Sequence, residues 1–142
     1  MSTLSAAIKA GASALNAERT RIEVAVSNLA NAGSTRSADG GPYRRRDVVL
    51  ASEPVTHFDQ MLGTASATGV TVAGIVEDTT PFRKVHDPTH PDRDENGFVS
   101  LPNVDAAMEM VDLLGAARAY QANLAAINVI RDMVARSLDL GK

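Results

Sequence analysis

Residues 103–142 read NVDAAMEMVDLLGAARAYQANLAAINVIRDMVARSLDLGK. Apolar side chains recur there at Val111, Leu114, Ala117, Tyr120, Leu124, Ile127, Ile130, Val134 and Leu138. The steps of three or four residues are the spacing of one face of an α-helix. No proline interrupts the run. Asn103 is the expected N-cap, and Asp105, Glu109 and Asp112 stand early, where the helix dipole favours acids. Arg131 and Arg136 fall late, where it favours cations, and Gly141 suits the C′ position. A helix of roughly 36 residues would be about 54 Å long. That is too long for a compact domain of this size, and a stripe so narrow calls for a partner helix.

The partner is expected at the other end of the chain. From Thr3 to about Asn31, Ile8, Leu15, Ile22 and Leu29 are spaced by sevens, with Leu4, Gly11, Glu18 and Ala25 on the intervening seam positions. Asn31-Ala32-Gly33 supplies a stop. Such a helix could lie on a globular core or pair with the C-terminal helix. The second reading is favoured because both ends carry the pattern and the middle does not. The expected fold is mainly α with a small β insert (α+β). Two long terminal helices, within 1–33 and 103–142, form an antiparallel coiled coil in an elongated molecule, and 34–102 is a β-rich middle domain.

All six prolines and four of the five aromatics, Tyr43, Phe58, Phe82 and Phe98, lie in that middle. Ala38-Asp39-Gly40-Gly41-Pro42 reads as loop. Strands are expected at Tyr43–Leu50, at the β-branched Val70–Val76, at Phe82–Val85 and at Gly97–Leu101. Glu53–Thr68 is weakly patterned and reads as a mobile loop.

Composition narrows the function. Of the 142 residues 44% are hydrophobic, but much of that is alanine, only 4% are aromatic and there is no tryptophan, so a compact core would be thin. A net charge of −3 argues against a binder that relies on phosphate attraction. Without cysteine there is neither disulfide nor thiolate zinc site. No apolar run approaches the ~20 residues of a membrane span. Ala12-Ser13-Ala14 mimics a signal-cleavage site, but Lys9 and polar neighbours break the apolar region that should precede it. The expectation is a chain that stays in the cytosol or leaves it without a cleavable signal.

Few constellations carry chemistry. Asp92-Arg93-Asp94-Glu95-Asn96-Gly97 places oxygens at positions one, three and five and glycine at six, as a calcium loop does. Position twelve should be a chelating glutamate, but Asn103 is there. A polar turn between two strands is the simpler reading. The alternative is a calcium- or metal-binding interaction module built on Asp92–Gly97, with the helices as a dimerisation stalk. His86 and His90 could join Asp87, Asp92 and Asp94 around a metal, but Pro88 and Pro91 prevent a helix that would fix them on one face. His57 has no nucleophile motif nearby, and no phosphate loop or dinucleotide fingerprint is present. Arg44-Arg45-Arg46 is followed by Asp47 in an acidic chain, which favours an exposed charged strand face or a salt-bridged protein contact over nucleic acid or membrane. Asn28, Asn31, Gln121 and Asn123 lie near the helix seams at a cost in helix propensity, which suggests hydrogen bonds that fix helix register.

The end segments carry a resemblance. Ala14-Leu15-Asn16-Ala17 through Val26-Ser27-Asn28-Leu29-Ala30-Asn31-Ala32 resembles the signature of the flagellar axial proteins, which build the rod and hook of the bacterial flagellum. Asn103-Val104-Asp105, Glu109-Met110 and Arg118-Ala119-Tyr120-Gln121-Ala122-Asn123 resemble its C-terminal partner motif. Between them, Gly41-Pro42-Tyr43-Arg44-Arg45, Asp87-Pro88-Thr89-His90-Pro91, Gly97-Phe98-Val99 and Leu101-Pro102-Asn103-Val104 are similar to a proximal-rod member of that family. His86 stands where the family has a tyrosine before Asp-Pro, Phe98 replaces a tyrosine, and Ser34-Thr35-Arg36 varies the turn after the first helix.

The resemblance implies a structural, non-catalytic subunit of the proximal rod of the basal body, in the periplasmic space, that transmits torque. Its terminal helices would pair and stack around an axial channel, with the β-rich insert further out. The implied partners are other rod proteins, further copies of itself in a helical assembly, and the flagellar type III export apparatus. No nucleic acid, direct membrane insertion, cofactor, metal ligand or catalytic residue is implied. The residues expected at the assembly interface are Leu15, Ile22, Asn28, Leu29 and Asn31 in the first helix. In the C-terminal segment they are Val104, Met110, Tyr120, Gln121, Asn123, Leu124 and Ile127.

Overall fold

A run of good helix formers without proline folds at each end of the chain, and the computed structural model, which describes residues 3–37, 40–54 and 68–139, places two long helices there. Helix α1 spans Thr3–Ala30, and helix α2 spans Ala106–Asp139. At 34 residues, α2 is about 51 Å long. Asn31 ends α1: its Nδ2 donates to the Ser27 carbonyl at 2.9 Å, and its Oδ1 accepts from Ser34 Oγ at 3.2 Å. Asp105, rather than the expected Asn103, caps α2. Its Oδ1 accepts from the amides of Ala107 (2.9 Å) and Met108 (3.3 Å). Asn103 is unavailable because its side chain is engaged with the insert. Gly141, the expected C′ residue, lies outside the described residues.

The helices lie side by side. Small residues make the contact close: Ala17 and Ala25 of α1 and Ala116 of α2 are buried. A Cβ built on Gly11 would stand 2.9 Å from Ile127 Cγ1 and 3.2 Å from its Cδ1, inside normal van der Waals distance. Gly11 near the start of α1 therefore meets Ile127 far along α2, while Asn28 near the end of α1 meets Glu109 near the start of α2. The inward stripe of α2 holds Glu109, Leu113, Ala116, Tyr120, Asn123 and Ile127, then Ile130 and Val134.

This corrects part of the expected seam. Val111, Leu114 and Leu124 face outward, with 63%, 57% and 44% of their surface exposed. Two apolar stripes run along α2, and periodicity alone selects the one with the larger side chains. The inner stripe is instead small and partly polar because the helix axes approach closely. On α1 the seam holds better: Ile8, Leu15, Ile22 and Leu29 are all half-buried.

The insert forms two antiparallel hairpins. Strand β1 (Arg46–Pro54) pairs with β2 (Thr68–Glu77), and β3 (Arg83–His86) pairs with β4 (Phe98–Leu101). The first strand starts three residues later than expected and runs on to Pro54, because Tyr43 and Arg45 turn inward to the helices instead of joining the ladder. Glu53, Pro54 and Thr68 are strand rather than loop. The remainder of that expected loop, 55–67 with His57 and Phe58, lies outside the described residues. The pairing register slips after Val49, leaving Ala73 as an extra residue on β2. The β1–β2 hairpin leans on α1, where Ser13 Oγ accepts from the Val70 amide at 3.0 Å and donates to the Ala10 carbonyl at 2.7 Å. In the second hairpin Gly97 has φ +79°, and a side chain there would press on His86 Nε2 at 3.2 Å.

Candidate functional site

The polar groups converge where α1, the start of β1 and the start of α2 meet. Asn28 is 1% exposed, and every polar atom of its side chain is used. Its Oδ1 accepts from the Tyr43 hydroxyl (2.9 Å) and the Arg46 amide (3.0 Å). Its Nδ2 donates to the Arg46 carbonyl (2.8 Å) and to Glu109 Oε2 (3.0 Å). The carboxamide thus pairs with both backbone groups of Arg46 as a neighbouring strand would, and ties α1 to α2 with the remaining proton. An asparagine in a helix has little to gain locally; here it repays that cost through four long-range bonds.

Glu109 is 2% exposed and would be an unsupported buried charge without Arg45, whose Nε donates to Glu109 Oε1. The Arg45 guanidinium also pairs with Asp47 and lies 3.8 Å from Asp78 and 3.6 Å from Asp112. Burial works against the Arg45 charge, but the hydrogen bond and charge of Glu109, with those of Asp47, outweigh it and raise its pKa. Asn103 completes the junction: its Oδ1 accepts from the Arg45 amide (2.8 Å), and its Nδ2 donates to the Asp78 carbonyl (3.1 Å) and to Thr80 Oγ1 (2.9 Å). Arg44 extends the same clamp, donating to the Asp78 carbonyl at 2.9 Å with its guanidinium 4.4 Å from the Phe82 ring centroid. Arg46 lies 3.9 Å from Glu77, so all three arginines make contacts within the chain, where the sequence reading left an exposed charged strand face or a salt-bridged protein contact open.

Of the residues expected at an assembly interface, most are occupied within the subunit. Leu15, Ile22, Leu29, Tyr120, Asn123 and Ile127 are half-buried, Val104 is buried, Asn28 sits in the junction and Asn31 caps α1. Met110, Gln121 and Leu124 remain exposed. The structure adds Met108, Val111, Leu114, Val129 and Met133, each 57–63% exposed on α2. A second apolar stripe on the same helix was the available signal for them. For the junction the signal was a glutamate at a position of the inward stripe.

Two carboxylates of the Asp92–Gly97 loop, those of Asp92 and Asp94, are committed to protein donors. Asp92 accepts from Thr35 Oγ1 (2.8 Å) and Arg36 Nε (2.6 Å). Asp94 Oδ1 accepts from the amides of Asn96 (2.9 Å) and Phe98 (2.8 Å), closing the turn between β3 and β4. His90 Nδ1 accepts from the Asp92 amide, and His86 stacks edge-on against Phe98. Among the described residues no group of three His, Asp or Glu side chains is placed to hold a metal ion. The loop is a strut between the turn after α1 and the second hairpin.

Comparison with known proteins places this architecture. Two protein-family models match: flagella basal body rod protein over residues 8–36, and flagellar basal body rod FlgEFG protein C-terminal over residues 95–140. The chain is 42% identical to the flagellar basal-body rod protein FlgC of Bacillus subtilis, covering 95% of this chain and 96% of that protein. It is 42% identical to FlgC of Salmonella typhimurium, with 92% of each chain covered, and 40% identical to FlgC of Agrobacterium fabrum, with 100% and 98% covered. The chain belongs to the FlgC family of flagellar basal-body rod proteins. The two matched segments carry the two sides of the junction, Asn28 in the first and Asn103 and Glu109 in the second. In this FlgC-family chain the matched ends are therefore the parts that hold each other. No helix among the described residues is long and apolar enough to cross a membrane.

Proposed function

We propose that this chain is a structural subunit of the flagellar basal-body rod, without catalytic activity, in which α1 and α2 form an antiparallel coiled coil that stacks with those of neighbouring subunits. The observation that carries this is full-length similarity to FlgC proteins combined with an α2 whose outward face, from Met108 to Met133, exposes large apolar side chains. Monomeric surfaces rarely leave so long an apolar stripe open unless it is an interaction site. The subunit is elongated, with terminal segments 1–33 and 103–142 as the coiled-coil domain and 34–102 as the β-rich middle domain. The rod is the proximal one, a tube that passes torque outward, and the subunit reaches it through the type III export apparatus. Its partners are other rod proteins and further copies of itself. Contacts between unlike surfaces build such a tube, since a heterologous interface that does not close on itself propagates. Exposure supports Met110, Gln121 and Leu124 as contacts between subunits, and half-burial supports a place for Leu15, Ile22, Leu29, Tyr120 and Ile127 in the coiled coil inside one subunit. Deletion of the gene should abolish motility and leave basal bodies without a rod, and the full-length gene should restore both. A motile deletion strain contradicts the reading.

A further inference from the structure

Asn96-Gly97 lies in the turn between β3 and β4 and is the one Asn-Gly pair among the seven asparagines of the chain. The fold requires the glycine: its φ is +79°, and a Cβ there would stand 3.2 Å from His86 Nε2. A backbone nitrogen with no side chain to shield it therefore follows directly on an asparagine. Asn96 is exposed, and no hydrogen bond holds its carboxamide among the described residues.

The other asparagines are shielded. Asn16, Asn28, Asn123 and Asn128 lie inside α1 and α2, where the amide that follows is fixed in helical geometry. Asn31 and Asn103 hold their carboxamides in hydrogen bonds to Ser27, Ser34, Arg45 and Asp78, and the bulkier Ala32 and Val104 follow them. At Asn96 the restraint is the turn alone. The Gly97 amide donates to the Asp94 carbonyl at 3.0 Å, and Asp94 Oδ1 accepts from the amides of Asn96 and Phe98. The Gly97 bond must open before its nitrogen can act as a nucleophile.

We propose that Asn96 is the site of spontaneous deamidation in this chain, slowed by the folded turn. The Gly97 nitrogen gives up its proton and attacks Asn96 Cγ. The new N–C bond closes a succinimide ring, the bond to Nδ2 breaks, and that nitrogen leaves as ammonia with the released proton. Water then adds to either ring carbonyl and opens the ring to aspartate or isoaspartate. No electrons are exchanged, and water is the sole co-reactant. Both products add a carboxylate beside Asp92, Asp94 and Glu95. Isoaspartate also puts an extra methylene into the main chain between the two amides that Asp94 Oδ1 clamps, so the bond from the Phe98 amide is lost. This chemistry belongs to the turn and holds whatever the chain assembles with.

The test is peptide mapping of the purified full chain after ageing in warm, mildly alkaline buffer. The mass gain of an amide-to-acid change is expected in tryptic peptide 94–118, on residue 96, ahead of every other asparagine. Isoaspartyl methyltransferase with radioactive S-adenosylmethionine should mark the same peptide. Asp39-Gly40 can close the same ring, but its isomerisation leaves the mass unchanged, which separates the two. Asn96→Gln should show no gain at that position, and Asp94→Ala, which loosens the turn, should gain several-fold faster than the wild type. In the isoaspartate fraction the Phe98 amide should exchange its hydrogen faster. A gain that begins at another asparagine, or none after an interval that converts the free peptide 94–102, would overturn the proposal. An Asp94→Ala rate equal to that of the wild type would overturn the restraint by the turn.

Discussion

Asn28 donates to Glu109 at 3.0 Å, joining the two helices across 81 residues of chain through side chains that are both almost fully buried. Because Asn28 also binds both backbone groups of Arg46, and Glu109 binds the Arg45 guanidinium, the helix pair and the first strand are fixed by one hydrogen-bond network. A seam of alanine and glycine permits sliding, since small side chains interlock poorly. The network gives it a register. Removing any member strands the others in a site closed to water, which is where the largest penalties arise.

Asn28→Ala should destabilise the protein by about 3 kcal/mol, because it leaves the Tyr43 hydroxyl, both Arg46 backbone groups and one Glu109 oxygen short of partners. Urea unfolding followed by far-UV circular dichroism measures this. A loss below about 1 kcal/mol would mean that water replaces the carboxamide.

Gly11→Val should cost about 2 kcal/mol through overpacking against Ile127, more than any gain from leaving glycine in mid-helix. Ile127→Ala removes the atoms that clash, so the double variant should be more stable than the sum of the two single losses predicts. Additive losses would show that the helices are not in van der Waals contact at this point.

Acid should loosen the strut at Asp92. The hydrogen bond from Thr35, then that from Arg36 and its charge, hold the Asp92 carboxyl below the usual carboxylate range. Thr89 does the same for Asp87, and Thr80, with Arg45 and Arg44 further off, for Asp78. A carboxyl depressed in the folded state takes up its proton first in the unfolded chain. The stabilisation is therefore complete above about pH 4 and is lost as pH falls through the lower, folded values. The melting temperature should drop between about pH 4 and pH 2, and Asp92→Asn should show a shallower drop than the wild type. Identical slopes would remove Asp92 from the account.

Substitutions on the two faces of the helix pair should separate folding from assembly. Val129→Asp and Leu124→Asp place a charge on exposed positions and should leave the helical signal within the range of surface variants, about 0.5 kcal/mol, while abolishing rod incorporation. Leu29→Asp places it on a half-buried position facing the interior of the subunit and should lower the stability of the isolated chain as well. A Val129→Asp strain that swims like the wild type would remove the outward face of α2 from the assembly interface.

Both helices, the four strands and the motif residues at the two ends could be read from the sequence, because periodicity, β-branching and proline placement act locally. What was not legible depends on distant partners. Asn103 has the chemistry of an N-cap, but Asp105 two residues on has it too, and only the position of Arg45, 58 residues away in sequence, decides between them. Val111 and Leu114 fit a buried stripe by spacing, but the closeness of α1 turns Glu109, Leu113 and Ala116 inward instead. Asp92 and Asp94 have the spacing of cation ligands, and the Thr35 hydroxyl and neighbouring amides take those oxygens. In each case the residue type was read correctly and its partner was not.

The central claim is that this chain is built into the rod. Mass spectrometry of detergent-extracted, salt-washed hook–basal bodies from the source organism tests it most directly. The account predicts that the chain co-purifies with the particle and is released only under conditions that take the rod itself apart. Recovery of the chain solely in the soluble fraction, with intact rods lacking it, would contradict the account.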